Sequence, residues 1–471
     1  MSTYDVRIWA IREYQGKPND RRPRRTYRVR WEVAGREFGK SHQTRAMAES
    51  FRSKLVVAQR EGVAFDENTG LPEPMARELH SRTWYEHAVA FADMKWSRAS
   101  AKQRKSIAEA LATVTPALLA TDRGRPGDAD LRAALYGWAF NKNRRDAGPP
   151  AGRLAGVVTW VKANTVKLPA LADDAAIVRR ALDTLATLTD GRRAAANTVA
   201  RKRAVFYGAL RYAVELRLLD RNPIEHVAWK APKGNDGVVD RKAVVNHDQA
   251  RALLAAVREA MPELEAFFGC MYYAALRPEE ALHLRVDEYE RPEAPGGWGW
   301  LHLSGATVTT GAGWADSAGT TEDRGLKHRA STATRDVPAA PRLCTLIDAH
   351  LERFKPGADG RMFVTRRGPS GRPTFGPARP VPDGTYTAVW RKARGLALAQ
   401  AQRRTPLAGR PYDLRHAAVS TWLNAGVPAP QVAEWAGHSV HVLLKVYAKC
   451  IDGQVDAALQ KIATALDGRE A

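Results

Sequence analysis

The stretch Arg410-Pro-Tyr412-Asp-Leu-Arg415-His416-Ala-Ala-Val-Ser-Thr-Trp422-Leu423, continued by Trp435-Ala-Gly437-His438-Ser439 and by Val440 to Tyr447, has the punctuation of short consecutive helices. The first carries Ala417, Ala418, Trp422 and Leu423 and stops at Gly426, while Pro430 begins a second that Gly437 ends. His438 therefore stands just past a helix stop. Taken singly, such a histidine is most often a packed or capping residue, and a tyrosine among Leu and Val is usually core.

Working outward, two earlier patterns join this stretch. In Tyr272-Tyr-Ala-Ala-Leu-Arg277-Pro-Glu-Glu280-Ala-Leu-His-Leu284, Pro278 suits the first position of a helix and leaves Arg277 in the joint before it. Glu280, three residues on, can orient that guanidinium, although a lone Arg-x-x-Glu is ordinarily a surface ion pair. In Leu326-Lys327-His-Arg-Ala-Ser-Thr-Ala-Thr-Arg335-Asp-Val-Pro338, two short strands around a polar turn would put Lys327 near a hairpin tip, within reach of a groove. Upstream, Asn246-x-x-Gln249 caps a helix with Ala250, Leu253, Leu254 and Val257 on one stripe. Downstream, Val455, Leu459, Ile462 and Leu466 share one helical stripe.

The rest of the chain reads as two further units. Tyr4–Trp9, Tyr27–Val33 and Arg36–Ser41 alternate as half-buried strands, with Ala34-Gly35 as a turn, and Thr44 caps a helix from about Arg45 to Arg60. Residues 1–62 hold 15 Lys/Arg and 7 Asp/Glu, and Tyr27, Val29, Trp31 and Val33 share one face while Arg28 and Arg30 share the other. Residues 63–80, with Gly70, Pro72 and Pro74, read as a linker, and 230–237 as another. Between them the pattern is helical: Thr83-x-x-Glu86 and Ser100-x-x-Gln103 are capping boxes, and Thr198 opens a long helix with Phe206, Ala209, Leu210 and Ala213 inside. Residues 122–152, rich in Gly, Pro, Arg and Asp, read as a loop-rich insertion.

Composition bounds the function. A chain of 471 residues with formal charge +22 and 44% hydrophobic residues folds as two or three domains and calls for a polyanionic partner, nucleic acid first. Three dispersed cysteines exclude a disulfide framework and fit a reducing cytoplasm, and no apolar stretch suggests secretion or membrane spanning.

Arg277, Lys327, Arg415, His438 and Tyr447 occur in this order, with 23 residues from Arg415 to His438 and nine from His438 to Tyr447. The set resembles the tyrosine recombinase family, the phage-type integrases, over nearly the whole chain; its variants are similar to integrases of actinobacterial phages and integrative elements. The resemblance implies a mainly α fold with small β-sheets. An arm-type DNA-binding domain at 1–65 would be a three-stranded sheet plus helix, 75–230 a helical core-binding domain, and 240–466 an α+β catalytic domain with a C-terminal docking helix. It further implies Tyr447 as nucleophile, Arg277 and Arg415 on the phosphate, Lys327 as proton donor to the 5′ oxygen, and polar assistance from His438. Tyr412 occupies the position where the family most often has His, and a phenol is a poor base at neutral pH. DNA contacts are expected from Arg28, Arg30, Lys40, Arg104, Lys105, Arg201 and Lys202. Expected partners are duplex attachment sites of core and arm type, three further copies in a homotetramer, a DNA-bending host factor and a directionality factor, all in a bacterial cytoplasm.

The chemistry is coherent on its own terms. Phenolic attack on a phosphodiester builds charge on the non-bridging oxygens, and two guanidinium forks can neutralise it, so neither metal nor nucleotide cofactor is required. A type IB topoisomerase uses a similar set, and a non-cleaving DNA-binding regulator is the alternative from another class. Such a binder has no need of Tyr447.

Overall fold

The computed structural model describes residues 2–15, 25–232, 238–316, 319–327, 333–366 and 379–447, together with 459, 460, 462, 463 and 466. The chain forms two compact units, Met1–Ser97 with Ser106–Pro232, and Arg98–Lys105 with Lys233–Ala471. Both are mainly helical with small antiparallel sheets. Among the described residues no helix is long and apolar enough to cross a membrane.

In the first unit, Val6–Ile8 and Arg12–Gln15 pair one after the other with the same edge of Arg25–Val33, and Arg36–His42 takes the opposite edge. Ile8 faces Trp31 but Arg12 faces Arg28, so the first strand carries one extra residue across Trp9–Ile11. The expected three strands are therefore four segments, the first strand being split by a bulge. Both residues of the Ala34-Gly35 turn have positive φ, as a tight hairpin requires. Val29, Trp31 and Val33 are buried against Ala48, Phe51 and Leu55 of the helix Arg45–Arg60, which Thr44 caps through the Met47 amide.

Residues 63–80 are not a linker. Phe65 is fully buried, Phe65–Asp66 pairs with Ser2–Thr3, and Glu73–His80 is helical. The Trp31 indole N–H donates to the Gly70 carbonyl, and a Cβ at Gly70 would fall 2.4 Å from the Phe38 ring. Glycine here serves a close wrap, which is why composition alone misread it. This also explains why the expected domains 1–65 and 75–230 share one compact unit. The presumed insertion at 122–152 is likewise structured: the helix Asp128–Ala134 and the wider turn Leu135–Ala139 bury Leu131, Ala134 and Leu135 at i, i+3 and i+4. The long helix begins at Ala196, ahead of Thr198, and buries Phe206, Ala209, Leu210 and Ala213 as the spacing requires.

The second unit is built on one large apolar cluster in which Phe267, Phe268, Met271, Phe363 and Trp390 are essentially inaccessible. The capping box at Asn246 and Gln249 forms, and the helix His247–Ala260 buries Ala250, Leu253, Leu254 and Val257. Strands Tyr289–Glu290, Gly299–Leu303 and Arg335–Ala339 make one sheet, and Ala306–Thr309 pairs with Thr321–Arg324 in another. A second cluster joins Ala418, Val419 and Leu423 to Val432, Ala433 and Ala436, and to Leu443 and Tyr447. It fixes the three consecutive helices Asp413–Asn424, Ala429–Ala436 and Val440–Tyr447 against one another.

Candidate active site

The joint between the helices Glu265–Tyr273 and Pro278–His283 turns through Ala275, which holds a left-handed φ of +51°. Such a conformation is unfavourable for alanine and is kept only where surrounding structure enforces it. It presents Arg277 at the N-cap, where the guanidinium donates to Glu280 Oε1 at 2.6 Å and to the Gly437 carbonyl at 2.8 Å. Glu280 thus contacts the guanidinium three residues before it.

Glu280 also holds an arginine that received no role from the sequence. Arg335, 3% exposed, donates to both carboxylate oxygens of Glu280 at 3.0 and 2.7 Å. Strand alternation could have found it, because Arg335 shares a face with the buried Val337 and Ala339. Burial alone would raise the Glu280 pKa, but Arg335 and Arg277 outweigh it and hold the carboxyl far below the usual carboxylate range. Gly437 closes the opposite side. Its φ of +64° ends the helix Ala429–Ala436, and a Cβ there would lie 2.3 Å from Arg335 Nη1 and 3.2 Å from Arg277 Nη1. No side chain fits that position.

Arg415 is completely buried, with its fork donating to the carbonyls of Ala275 and Ala436 and to His438 Nε2 at 2.9 Å. Burial, and then the neighbouring Arg277, lower its pKa. Guanidinium has no acceptor, so His438 Nε2 must accept and the His438 proton must sit on Nδ1. Burial, followed by Arg415, Arg277 and Arg335, pushes the His438 pKa down to about 3, which keeps the ring neutral. Three buried N–H positions in this cluster have no hydrogen-bond partner among the described residues: Arg415 Nε, Arg335 Nε and His438 Nδ1. Unmet donors in a cationic cluster are suited to an oxyanion.

Tyr447 is fully buried, and its hydroxyl lies 2.9 Å from His416 Nδ1. The His438 ring centroid is 6.1 Å from that of Tyr447, and no hydrogen bond between the two is among the described contacts. An imidazole at hydrogen-bonding distance from the hydroxyl is thus that of His416, a residue the sequence reading did not single out. One residue past Arg415, His416 leaves the helix about 100° away, which separates the two contacts. Tyr412 lies within the site: its ring meets His416 edge-on with centroids 5.1 Å apart, Arg415 lies 5.9 Å over it, and its hydroxyl accepts a hydrogen bond from the Arg277 guanidinium.

Lys327 does not sit at a hairpin tip formed by the strands that flank it. Thr321–Arg324 pairs with Ala306–Thr309, whereas Arg335–Ala339 pairs with Gly299–Leu303, so the connection runs between two different sheets. Lys327 is exposed on that connection, and 328–332 lie outside the described residues.

The expected DNA contacts divide. Arg28 is exposed on the open face of its sheet, and Lys105 and Arg201 are exposed, the last bonded to Ser106 and Glu109. Arg30 is half-buried, paired with Glu37 and 5.1 Å over Trp9. Lys40 faces Val29 in register and lies 4.8 Å over the Phe51 ring, on the helix side of the sheet rather than with the arginines. Arg104 is corrected: it is buried within the second unit and gives its fork to Asp316 at 2.6 and 3.1 Å. Lys202 is buried too, bonded to Thr113 at 3.1 Å and near Glu109 at 3.5 Å. Leu459, Ile462 and Leu466 are helical and exposed, and Val455 lies outside the described residues.

No family model and no curated protein matches the chain. Solved structures do. The Tn1549 transposon integrase in complex with circular intermediate DNA is 14% identical over 66% of this chain and 91% of its own, with a TM-score of 0.43. A lambda integrase dimer bound to a COC′ core site is 12% identical over 94% of this chain and 95% of its own, also at 0.43. XerH site-specific recombinase bound to a palindromic difH substrate is 14% identical over 78% and 97%, at 0.39. At such values the functional reading rests on the side chains of the site.

Proposed function

We propose that the chain is a tyrosine site-specific recombinase, which cuts and rejoins DNA strands at attachment sites and thereby integrates a mobile element. The observation that carries this reading is a buried tyrosine hydroxyl with an imidazole 2.9 Å away, in the same folded unit as the buried Arg335 and Arg415, the half-buried Arg277 and a neutral histidine with an unmet donor. Tyr447 Oη attacks the scissile phosphorus, and the protein stays linked to the 3′ phosphate. Arg277, Arg415 and the His438 Nδ1–H stabilise the charge that grows on the non-bridging oxygens. Glu280 and Arg335 are positioning residues that hold Arg277. Lys327 protonates the departing 5′ oxygen. The retained phosphotyrosyl energy allows rejoining without a nucleotide cofactor.

The basic open face of the N-terminal sheet supports arm-site binding, and exposed Lys105 and Arg201 support contacts to the core duplex. Leu459, Ile462 and Leu466, exposed on one helical stripe, support docking of the tail on a second copy within a tetramer. A bending host factor and a directionality factor complete the expected assembly. Incubation with two duplexes carrying the element's own junctions tests the reading: recombinant products are expected. Relaxation of supercoils without strand exchange would mean a topoisomerase, and binding without any broken strand a regulator.

A further inference from the structure

A phenol with an intrinsic pKa of ~10 is almost wholly protonated at neutral pH, so attack requires a place for its proton. Two imidazoles flank Tyr447, with ring centroids at 5.6 Å for His416 and 6.1 Å for His438. They are not equivalent. His438 Nε2 is occupied by the Arg415 guanidinium, which can only donate, so its other nitrogen bears the proton and the ring has no free lone pair to offer. His416 Nδ1 lies 2.9 Å from the Tyr447 hydroxyl, at hydrogen-bonding distance, and its ring is braced by the edge of Tyr412.

We propose that His416 is the general base that takes the proton of Tyr447, and that His438 serves the phosphate as a hydrogen-bond donor. This rests on the strand-cleavage reading above and assigns a residue within it. As Tyr447 Oη bonds to phosphorus, its proton passes to His416 Nδ1. The P–O5′ bond breaks, and the 5′ oxygen takes a proton from Lys327. Religation reverses both transfers and restores both side chains.

The groups described against His416 are the charged Arg410 and Arg415, the ring of Tyr412 and the hydroxyl and ring of Tyr447. Burial, then Arg410 and Arg415, hold the imidazole down to about 4, so it is unprotonated across the working range. A phosphodiester anion bound at Arg415 offsets that guanidinium charge and raises the proton affinity of Nδ1 when the phosphate arrives.

The test is single-turnover covalent adduct formation on a nicked duplex carrying the element's own junction, at saturating protein, from pH 6 to 9.5. Wild type is expected to be nearly flat. His416→Gln and His416→Ala are expected to bind the duplex normally and to form adduct about 10²–10⁴-fold more slowly at pH 7. Their rates should rise roughly tenfold per pH unit as phenolate replaces the missing base. His438→Gln is expected to slow the reaction by a factor independent of pH. An unchanged rate for His416→Gln, or an equal loss at every pH in both His416 variants, overturns the assignment. Failure of wild type to form any adduct overturns the cleavage reading itself, which the His416 variants alone cannot do.

Discussion

The arginines around Glu280 and His438 and those of the N-terminal sheet carry the same charge in opposite settings. Arg415 is 0% exposed and Arg335 3%, and each guanidinium in the cluster is held by backbone carbonyls, by Glu280 or by His438. Arg28 stands on an open sheet face, and its neighbour Arg30 is tied to Glu37 and the Trp9 ring. A fixed, desolvated fork stabilises a transition state because no reorganisation is left to do, whereas a solvated side chain contributes attraction that salt screens. The one pattern suits chemistry, the other adhesion.

Breaking the fixed network should therefore cost most. Glu280→Ala leaves Arg335 and Arg277 unpaired in a buried site, and a loss of about 3–5 kcal/mol in denaturant unfolding is expected. The network should also be acid-sensitive. Because folding lowers the Glu280 pKa, the unfolded chain takes up the proton more readily; the stabilisation is complete above the ordinary value of 4.5 and is lost as pH falls through the folded one. Wild type is expected to lose stability below about pH 4.5 more steeply than Glu280→Gln, measured as melting temperature against pH.

Next comes the fork itself. Arg415→Lys keeps a charge but cannot reach Ala275, Ala436 and His438 together, and adduct formation should fall by about 10²–10³-fold. Gly437→Ala adds a Cβ against Arg335 and Arg277 in a left-handed turn, for which a loss of about 1–3 kcal/mol is expected by thermal unfolding. The smallest effect belongs to the open face. Arg28→Ala should weaken duplex binding a few-fold, equally for all sequences, and lower the salt slope by about 0.9, read by titration at several ionic strengths. A large sequence-specific effect there would erase the contrast between the two regions.

Much of the site was legible because its signals are local. Proline after Arg277, glycine before His438 and the nine-residue step to Tyr447 each act through the chain next to them. Mainly helical units with small sheets were legible for the same reason. What stayed hidden depends on contacts distant in sequence. Nothing near Arg335 announces Glu280, 55 residues earlier, although strand alternation could have placed it inside. His416 was passed over because its partner lies 31 residues away, on another helix. Arg104 looked like a surface cation until Asp316 met it across 212 residues. The Gly- and Pro-rich 63–80 misled for the opposite reason, since glycine allows close approach as well as looseness, and only Phe38 and Trp31 decide which.

Strand cleavage as proposed requires a covalent bond between Tyr447 and DNA. Wild type and Tyr447→Phe should be incubated with nicked duplexes from the element's own junctions, denatured, digested and mapped by mass spectrometry. A phosphotyrosyl peptide at Tyr447 is expected in wild type, and for Tyr447→Phe no adduct but unchanged DNA binding. An adduct that persists in Tyr447→Phe, or one that maps to another residue, would contradict it.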